Sequence, residues 1–290
     1  MFDKILFKMI YKKIEKMYSG LFVFALLALY ASSEIVISRP LESIIPKTAI
    51  LAIDIQNTFA NLTLGELPIP EADNIFGPTF ILMEFLEKIR MNPIKVLSQD
   101  WHPLNHISIA TDERPAFSQF EYNLTIPKHN KNFTMTQTAW PSHGIANTFG
   151  AELDHRFNST GFKVFKKGTK SIIDSYSAFG DELGGLVEDT GLHNYFQSEN
   201  VITVIVFGLA TDYCVKYTIK DAFRLGYKVI LFLPGSAGIT PEGVNSTIEL
   251  VEKNGGLVIR NMFELYKIPT EIYKNNEMYE FKRKNYVIQK

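Results

Sequence analysis

The chain has 290 residues, 46% of them hydrophobic, which is enough apolar content for a sizeable core in one large domain or two small ones. Lys and Arg number 30 against 31 Asp and Glu, so a net charge of -1 gives no electrostatic case for nucleic acid or another polyanion as a partner. With a single cysteine, no internal disulfide can staple the fold, and the core must carry it alone.

The chain opens with Lys4, Lys8, Lys12, Lys13 and Lys16, followed by an unbroken apolar run from Leu21 to Ala31 and then Ser32-Ser33. The run fits the roughly 7 to 15 residues of a secretory h-region and falls short of the roughly 20 that a membrane-spanning helix needs. Residues 1–33 therefore read as a signal peptide, with a signal anchor over 21–31 as the alternative and the only route to a membrane. The run has no polar face, which argues against an amphipathic helix packed on the domain. Asn-x-Ser/Thr sequons at Asn61, Asn123, Asn132, Asn158 and Asn245 point the same way, towards secretion and glycosylation.

Past residue 45, short apolar runs alternate with helical patterns. Thr48–Ile53 reads as a strand, Pro78–Ile89 as a helix and Ile94–Leu97 as a strand. Residues 103–147 are polar and turn-rich. Phe162–Phe165 reads as a strand, 181–196 as a helix, and Val201–Phe207 as the most strand-like run in the chain. A helix over 212–225, a strand over 228–233, a helix over 242–254 and a strand over 257–259 follow. Nearly continuous apolar strands are those covered by helices on both faces. The expected fold is a single three-layer α/β/α domain over 45–262 with a mainly parallel sheet, and residues 263–290 read as a peripheral tail.

In such sheets, ligands sit beyond the carboxyl ends of the strands. Those ends supply Asp54, then Asp100-Trp101-His102, then Lys167, then the segment Gly208–Cys214. By itself Cys214 can be a small buried hydrophobe or a nucleophile. Two residues before it, Asp212 is a candidate N-cap; a thiol in the first turn would have its thiolate stabilised by backbone N–H groups and the helix dipole. Asp54, ending a buried strand, could accept the thiol proton, and Lys167 could balance the charge. Asp100 and His102 are one residue apart, so an extended segment places both on one face, where they can bind a cation with His106 and His143 as further candidates.

Taken together, these residues resemble the isochorismatase-like cysteine hydrolases, and within them the nicotinamidase branch. The matching segments are Ala52-Ile-Asp-Ile-Gln-Asn57, Ser98-Gln-Asp-Trp-His-Pro103 with His106, Trp140-Pro-Ser-His143 with Gly150-Ala-Glu-Leu153, Lys166-Lys-Gly168, Asp174–Phe179 and Gly208–Val215. They occur in order from about Ile50 to Ile259. The chain departs from the usual pattern after His143, where Gly-Ile-Ala-Asn-Thr148 replaces Cys-Val and a Gly-Thr pair; no catalytic group is lost there.

The resemblance implies Asp54 as general base, Lys167 as catalytic lysine and Cys214 as nucleophile. It also implies a cis Leu209-Ala210 peptide, and an oxyanion hole from the backbone N–H groups of Ala210 and Cys214. One divalent metal is expected on Asp100, His102 and His143, with His106 less settled; zinc is expected, and iron or manganese would also suit. Phe59, Trp101, Trp140 and Tyr176 are expected to border a flat pyridine ring, the substrate being nicotinamide, hydrolysed to nicotinate and ammonia through a Cys214 thioester in NAD salvage. Hydrolysis of another small amide by the same fold, or a secreted binding protein without turnover, are the rival expectations. A homo-oligomer is compatible with the sequence.

Overall fold

The computed structural model describes residues 47–272, so the expected leader over 1–33 and the chain from 273 onward lie outside the described residues. The strands are β1 (Lys47–Ile53), β2 (Ile94–Asp100), β3 (Gln119–Ile126), β4 (Lys131–Thr138), β5 (Lys163–Lys167), β6 (Val201–Gly208), β7 (Lys228–Phe232) and β8 (Leu257–Ile259). Six of them form one sheet in the order β5-β2-β1-β6-β7-β8, with every pairing parallel. Strand order reverses between β1 and β6, which puts the crevice for a ligand above that pair.

Successive residues of each strand feed opposite cores. Ile50, Ala52, Leu97, Ile205, Phe207, Ile230 and Phe232 pack on one side. Ala49, Leu51, Ile53, Val96, Val204, Val206 and Leu231 pack on the other. That two-sided burial is why the strand sequences are nearly continuous in apolar residues instead of alternating. Helix α1 (Phe76–Lys88) covers the first face with Leu82 and Leu86. Helices α2 (Leu192–Ser198), α3 (Lys216–Arg224) and α4 (Pro241–Lys253) cover the second with Phe196, Ile219, Ala222 and Val251. Helix α4 starts where the sequence says it should: Thr240 caps it by accepting from Gly243 N, and Pro241 fills the first turn. The expected three-layer α/β/α fold is the one observed.

Three expectations change. The stretch 103–147 is not all turn, because β3 and β4 pair there as an antiparallel hairpin closed by Pro127–His129 and a left-handed Asn130. Its inner face packs Leu124, Ile126 and Met135 against Ile173. Its outer face is polar and, apart from the half-buried Thr138, exposed: Asn123 lies opposite Thr134, Thr125 opposite Asn132, and Thr134 Oγ1 donates to Asn123 Oδ1 at 3.3 Å. The helix expected over 181–196 shrinks to α2. Its first part instead wraps around the Asp181 carboxylate, which accepts from the backbone N–H groups of Leu183, Gly185, Val187 and Glu188; Gly184-Gly185 disfavours a helix at that place. Finally, Leu265, Ile268 and Ile272 are buried in the first core, so residues 263–272 belong to the domain instead of to a peripheral tail.

Candidate active site

Four neighbouring strands each deliver one reactive group to the same sheet edge. Lys167 ends β5 and stands in register with Asp100, which ends β2. Asp54 follows β1 directly, and Cys214 follows β6 after a short turn. Asp54 takes a left-handed backbone, with φ of 47°, which a non-glycine residue adopts only when its surroundings hold it there. Ser98 does so from β2: its Oγ donates to Asp54 Oδ1 at 2.6 Å and lies 3.3 Å from Asp54 N, which donates to it. Gln56 fixes Asp100 in the same manner, accepting from Asp100 N at 2.8 Å and donating to Asp100 O at 2.9 Å.

Lys167 is 1% exposed, and its ammonium has three donations. They go to Asp100 Oδ1 at 2.6 Å, Ser175 O at 3.0 Å and Cys214 Sγ at 3.4 Å. Asp54 Oδ2 lies 3.0 Å from the same nitrogen, yet it accepts no hydrogen bond. That oxygen is therefore an ion-pair partner with its lone pairs still open to a proton. Burial opposes the Lys167 charge, but Asp100 and Asp54 outweigh it and keep the ammonium protonated well above the usual range. Burial likewise works against the Asp100 charge, and Lys167 with His102 holds that carboxyl well below the usual carboxylate range. For Asp54 the balance tips the other way: burial lifts it to about 6, with Lys167 opposing and Asp100 adding.

Cys214 sits in a single turn of π-helix, Thr211–Val215, that leads into α3. The expected lowering of its thiol pKa does not occur. Burial pushes the thiol well above its ordinary value, and Asp54 and Asp100 push it further against the pull of Lys167. Depth and two carboxylates dominate over the start of a helix. Asp212 is not the N-cap either; Ala210 occupies that place, while the Asp212 carboxylate accepts from Ile239 N and Thr240 N and ties the turn to the start of α4. The Leu209-Ala210 peptide is cis, as the resemblance implies.

Asp100, His102 and His143 come together, all buried, with donor atoms within 4.8 Å of one another. The two imidazoles are oriented alike. His102 Nδ1 donates to Gly168 O at 2.9 Å and His143 Nδ1 to Pro141 O at 2.7 Å, which turns both Nε2 atoms towards the trio. Asp100 spends Oδ1 on Lys167 and keeps Oδ2 facing His102 Nε2, 3.5 Å away. Two imidazole nitrogens and a carboxylate oxygen form a donor set that suits zinc and also iron or manganese. Burial and the neighbouring His102 lower His143 to about 4, so it is a neutral ring. Burial disfavours charge on His102 as well, but Asp100 beside it outweighs that and lifts it to about 8. His106 also lies close, stacked on His102 at 4.1 Å. Both its nitrogens are engaged, with Nε2 donating to Ile173 O at 3.2 Å and Nδ1 bonded to Ser108 Oγ at 2.7 Å, so its lone pair does not face the trio.

A pocket opens over Cys214, lined by Asp100 and His143 together with Phe59, Trp140, Tyr176 and Tyr213. Trp101 is not among its walls, because consecutive residues leaving a strand point to opposite sides; its ring lies under Lys166 Nζ, 3.3 Å from the centroid. Trp140 and Tyr176 are locked together, Trp140 Nε1 donating to the Tyr176 hydroxyl at 2.8 Å. Gln137, from β4, donates to the same hydroxyl at 3.1 Å and to Asp174 Oδ2 at 3.0 Å. Gln137, Asp174 and Tyr213 were not expected at the site. Gln137 was hidden by reading 103–147 as turn, whereas Asp174 and Tyr213 stand inside matched segments and could have been found there.

A doubly wound parallel sheet that gathers a lysine, two aspartates and a cysteine above its switch point defines a class of hydrolase fold. The isochorismatase domain model matches residues 48–261, and the chain belongs to that family. Over 208 residues the chain is 35% identical to the nicotinamidase of Escherichia coli, covering 71% of this chain and 91% of that one. Among solved structures, the yeast nicotinamidase superposes with a TM-score of 0.66 at 27% identity, covering 74% of this chain and 100% of that one. It has also been solved with the inhibitor nicotinaldehyde. The pyrazinamidase of Pyrococcus horikoshii, solved in complex with zinc, gives a TM-score of 0.56 at 28% identity, covering 74% and 100%.

Proposed function

We propose that the chain hydrolyses nicotinamide to nicotinate and ammonia, with Cys214 as nucleophile, and serves NAD salvage. One observation carries this reading: Lys167 Nζ contacts Cys214 Sγ, Asp100 and Asp54 together, and Cys214 and Asp100 line a pocket walled by Phe59, Trp140 and Tyr176. The nicotinamidase names of the E. coli and yeast relatives supply the substrate.

In the first half-reaction, the Cys214 proton passes to Asp54 Oδ2 as the sulfur attacks the carboxamide carbon. A high thiol pKa and a base at about 6 mean that proton transfer and attack go together, with no standing thiolate. The Lys167 ammonium and the backbone N–H groups of Ala210 and Cys214 stabilise the oxyanion. Asp54 returns the proton to the amide nitrogen, the C–N bond breaks and ammonia leaves a thioester. In the second half-reaction, water gives one proton to Asp54 as it attacks the thioester; the C–S bond breaks, Asp54 restores the thiol, and the acid formed loses its remaining proton to solvent and departs as nicotinate. Asp100, His102 and His143 would hold one divalent ion, which when bound supplies Lewis acidity beside the ring. Phe59, Trp140 and Tyr176 border the ring and exclude water.

The chain is further proposed to enter the secretory route through residues 1–33. Ammonia release from nicotinamide by the purified protein supplied with zinc tests the enzymatic reading. Release from wild type and none from Cys214→Ala is the expected result; equal rates for the two would overturn it.

A further inference from the structure

Both Lys167 and His102 are fastened to one turn, residues 168–169. Trp101 N donates to Lys167 O at 2.9 Å and His102 Nδ1 to Gly168 O at 2.9 Å. The contact is close: a Cβ on Gly168 would lie 2.3 Å from His102 Cε1, so the ring packs directly on the glycine and no side chain fits between them. What holds the turn is a carboxylate from a distant loop. Glu188 Oε2 accepts from Gly168 N at 2.8 Å, and Glu188 Oε1 accepts from Thr169 N at 2.8 Å and from Thr169 Oγ1 at 2.5 Å. Oε2 also accepts from Ser175 Oγ at 2.5 Å, and Ser175 O is the carbonyl that receives Lys167 Nζ at 3.0 Å. Glu188 is 5% exposed, and its own backbone is pinned by Asp181 at 2.5 Å.

We propose that Glu188 is a positioning residue. Through the 168–169 turn it aims His102 Nε2 at the metal trio, and through Ser175 it sets Lys167 Nζ against Cys214. All four of its partners donate, so the position requires two acceptor oxygens. A glutamine offers one, and turns its amide N–H groups against the turn's own N–H. The inference rests on the reading of Asp100, His102 and His143 as metal ligands.

The test uses the purified full chain as wild type, Glu188→Gln, Glu188→Asp and Phe196→Leu, the last a core variant under the sheet that loosens the fold away from the site. Zinc affinity is measured by competition with a chromophoric chelator, alongside thermal melting and kcat and KM for nicotinamide at saturating zinc. The expected result for Glu188→Gln is a cooperative melt, zinc affinity and kcat each down by about 10- to 100-fold, and KM changed less than about twofold. Glu188→Asp, which keeps both oxygens, recovers part of the loss and carries the test if the Gln variant does not fold. Wild-type affinity and kcat in Glu188→Gln would overturn the role, as would an equal loss of zinc affinity in Phe196→Leu at the same melting temperature. A wild type that binds no zinc and releases no ammonia overturns the reading of the site, and this inference with it. Activity and zinc binding in wild type with an unaltered Gln variant overturn only Glu188.

Discussion

Asp100 and Lys167 face each other in register across two parallel strands, and their side chains meet at 2.6 Å with almost no exposure to solvent. Removing the lysine takes away the cation that Asp54 and Asp100 share and leaves only His102 beside Asp100. Lys167→Met is expected to cost about 3–5 kcal/mol of stability, the range for breaking a buried pair by deleting one partner. It should lower kcat by about 100- to 1,000-fold through loss of an oxyanion donor. Denaturant melts and ammonia release check both numbers, and a stable, fully active variant would contradict the arrangement.

Asp54 must be ionised to accept the thiol proton, and burial raises it to about 6. A raised acid is protonated below that value and a base above it, so kcat/KM for nicotinamide should rise with pH through about 6 and then level. Asp54→Asn should lose about 100- to 10,000-fold and flatten this limb. An acid limb that persists in Asp54→Asn would assign it to another group.

Cys214 is held as a thiol, so iodoacetamide should modify it at neutral pH more slowly than it modifies a free cysteine. Lys167→Met should slow the reaction further, since the one group that lowers the thiol pKa is then gone. Fast alkylation at pH 7 in wild type would mean that the thiolate stands ready without the base.

The two flanking histidines separate the metal trio from its neighbour. His143→Ala removes an Nε2 aimed at the trio and should abolish tight zinc retention. His106→Ala removes a ring whose nitrogens are already engaged, and should leave zinc affinity within a few-fold of wild type while lowering the melting temperature. Equal loss in both variants would make His106 a ligand.

The outer face of the β3–β4 hairpin carries two sequons, each asparagine opposite the threonine of the other. Expressed in a eukaryotic cell, the full chain is expected in the medium with a glycosidase-sensitive mass at Asn123, Asn132 or both. Asn61 is less suited, because its Oδ1 already accepts from Thr63 N and Leu64 N. Protein retained in the lysate without sugar would count against the secretory proposal.

The sheet was legible because burial on both faces writes long apolar runs into β1 and β6, and the residue just past such a run can be placed to within one position. Asp54 stands directly past its run, whereas Asp100, Lys167 and Cys214 stand further beyond the ends of theirs. The hairpin escaped because one of its faces meets solvent and the other only a small cluster, so Asn and Thr dominate its composition. Trp101 was misplaced although its neighbour Asp100 already dictated the opposite side. The direction of the Cys214 shift was beyond local reading, since it depends on depth and on two carboxylates that stand more than a hundred residues earlier in the chain. Glu188 acts through Gly168, Thr169 and Ser175, and Gln137 through Asp174 and Tyr176, partners 13 to 39 residues away that no local pattern connects.

The order of the strands in the sheet differs from their order in the chain, and this has a bearing on how the protein is made. Asp54, Asp100 and Lys167 all leave the ribosome before Cys214 does, and β6, which brings the thiol, is also the strand that completes the pairing of β1. The nucleophile is thus the last of the four reactive groups to be synthesised, and it comes with the strand that pairs with the edge of β1 left free by β2. A lone thiol in a newborn chain is spared a long exposure to oxidants and to other chains by arriving late.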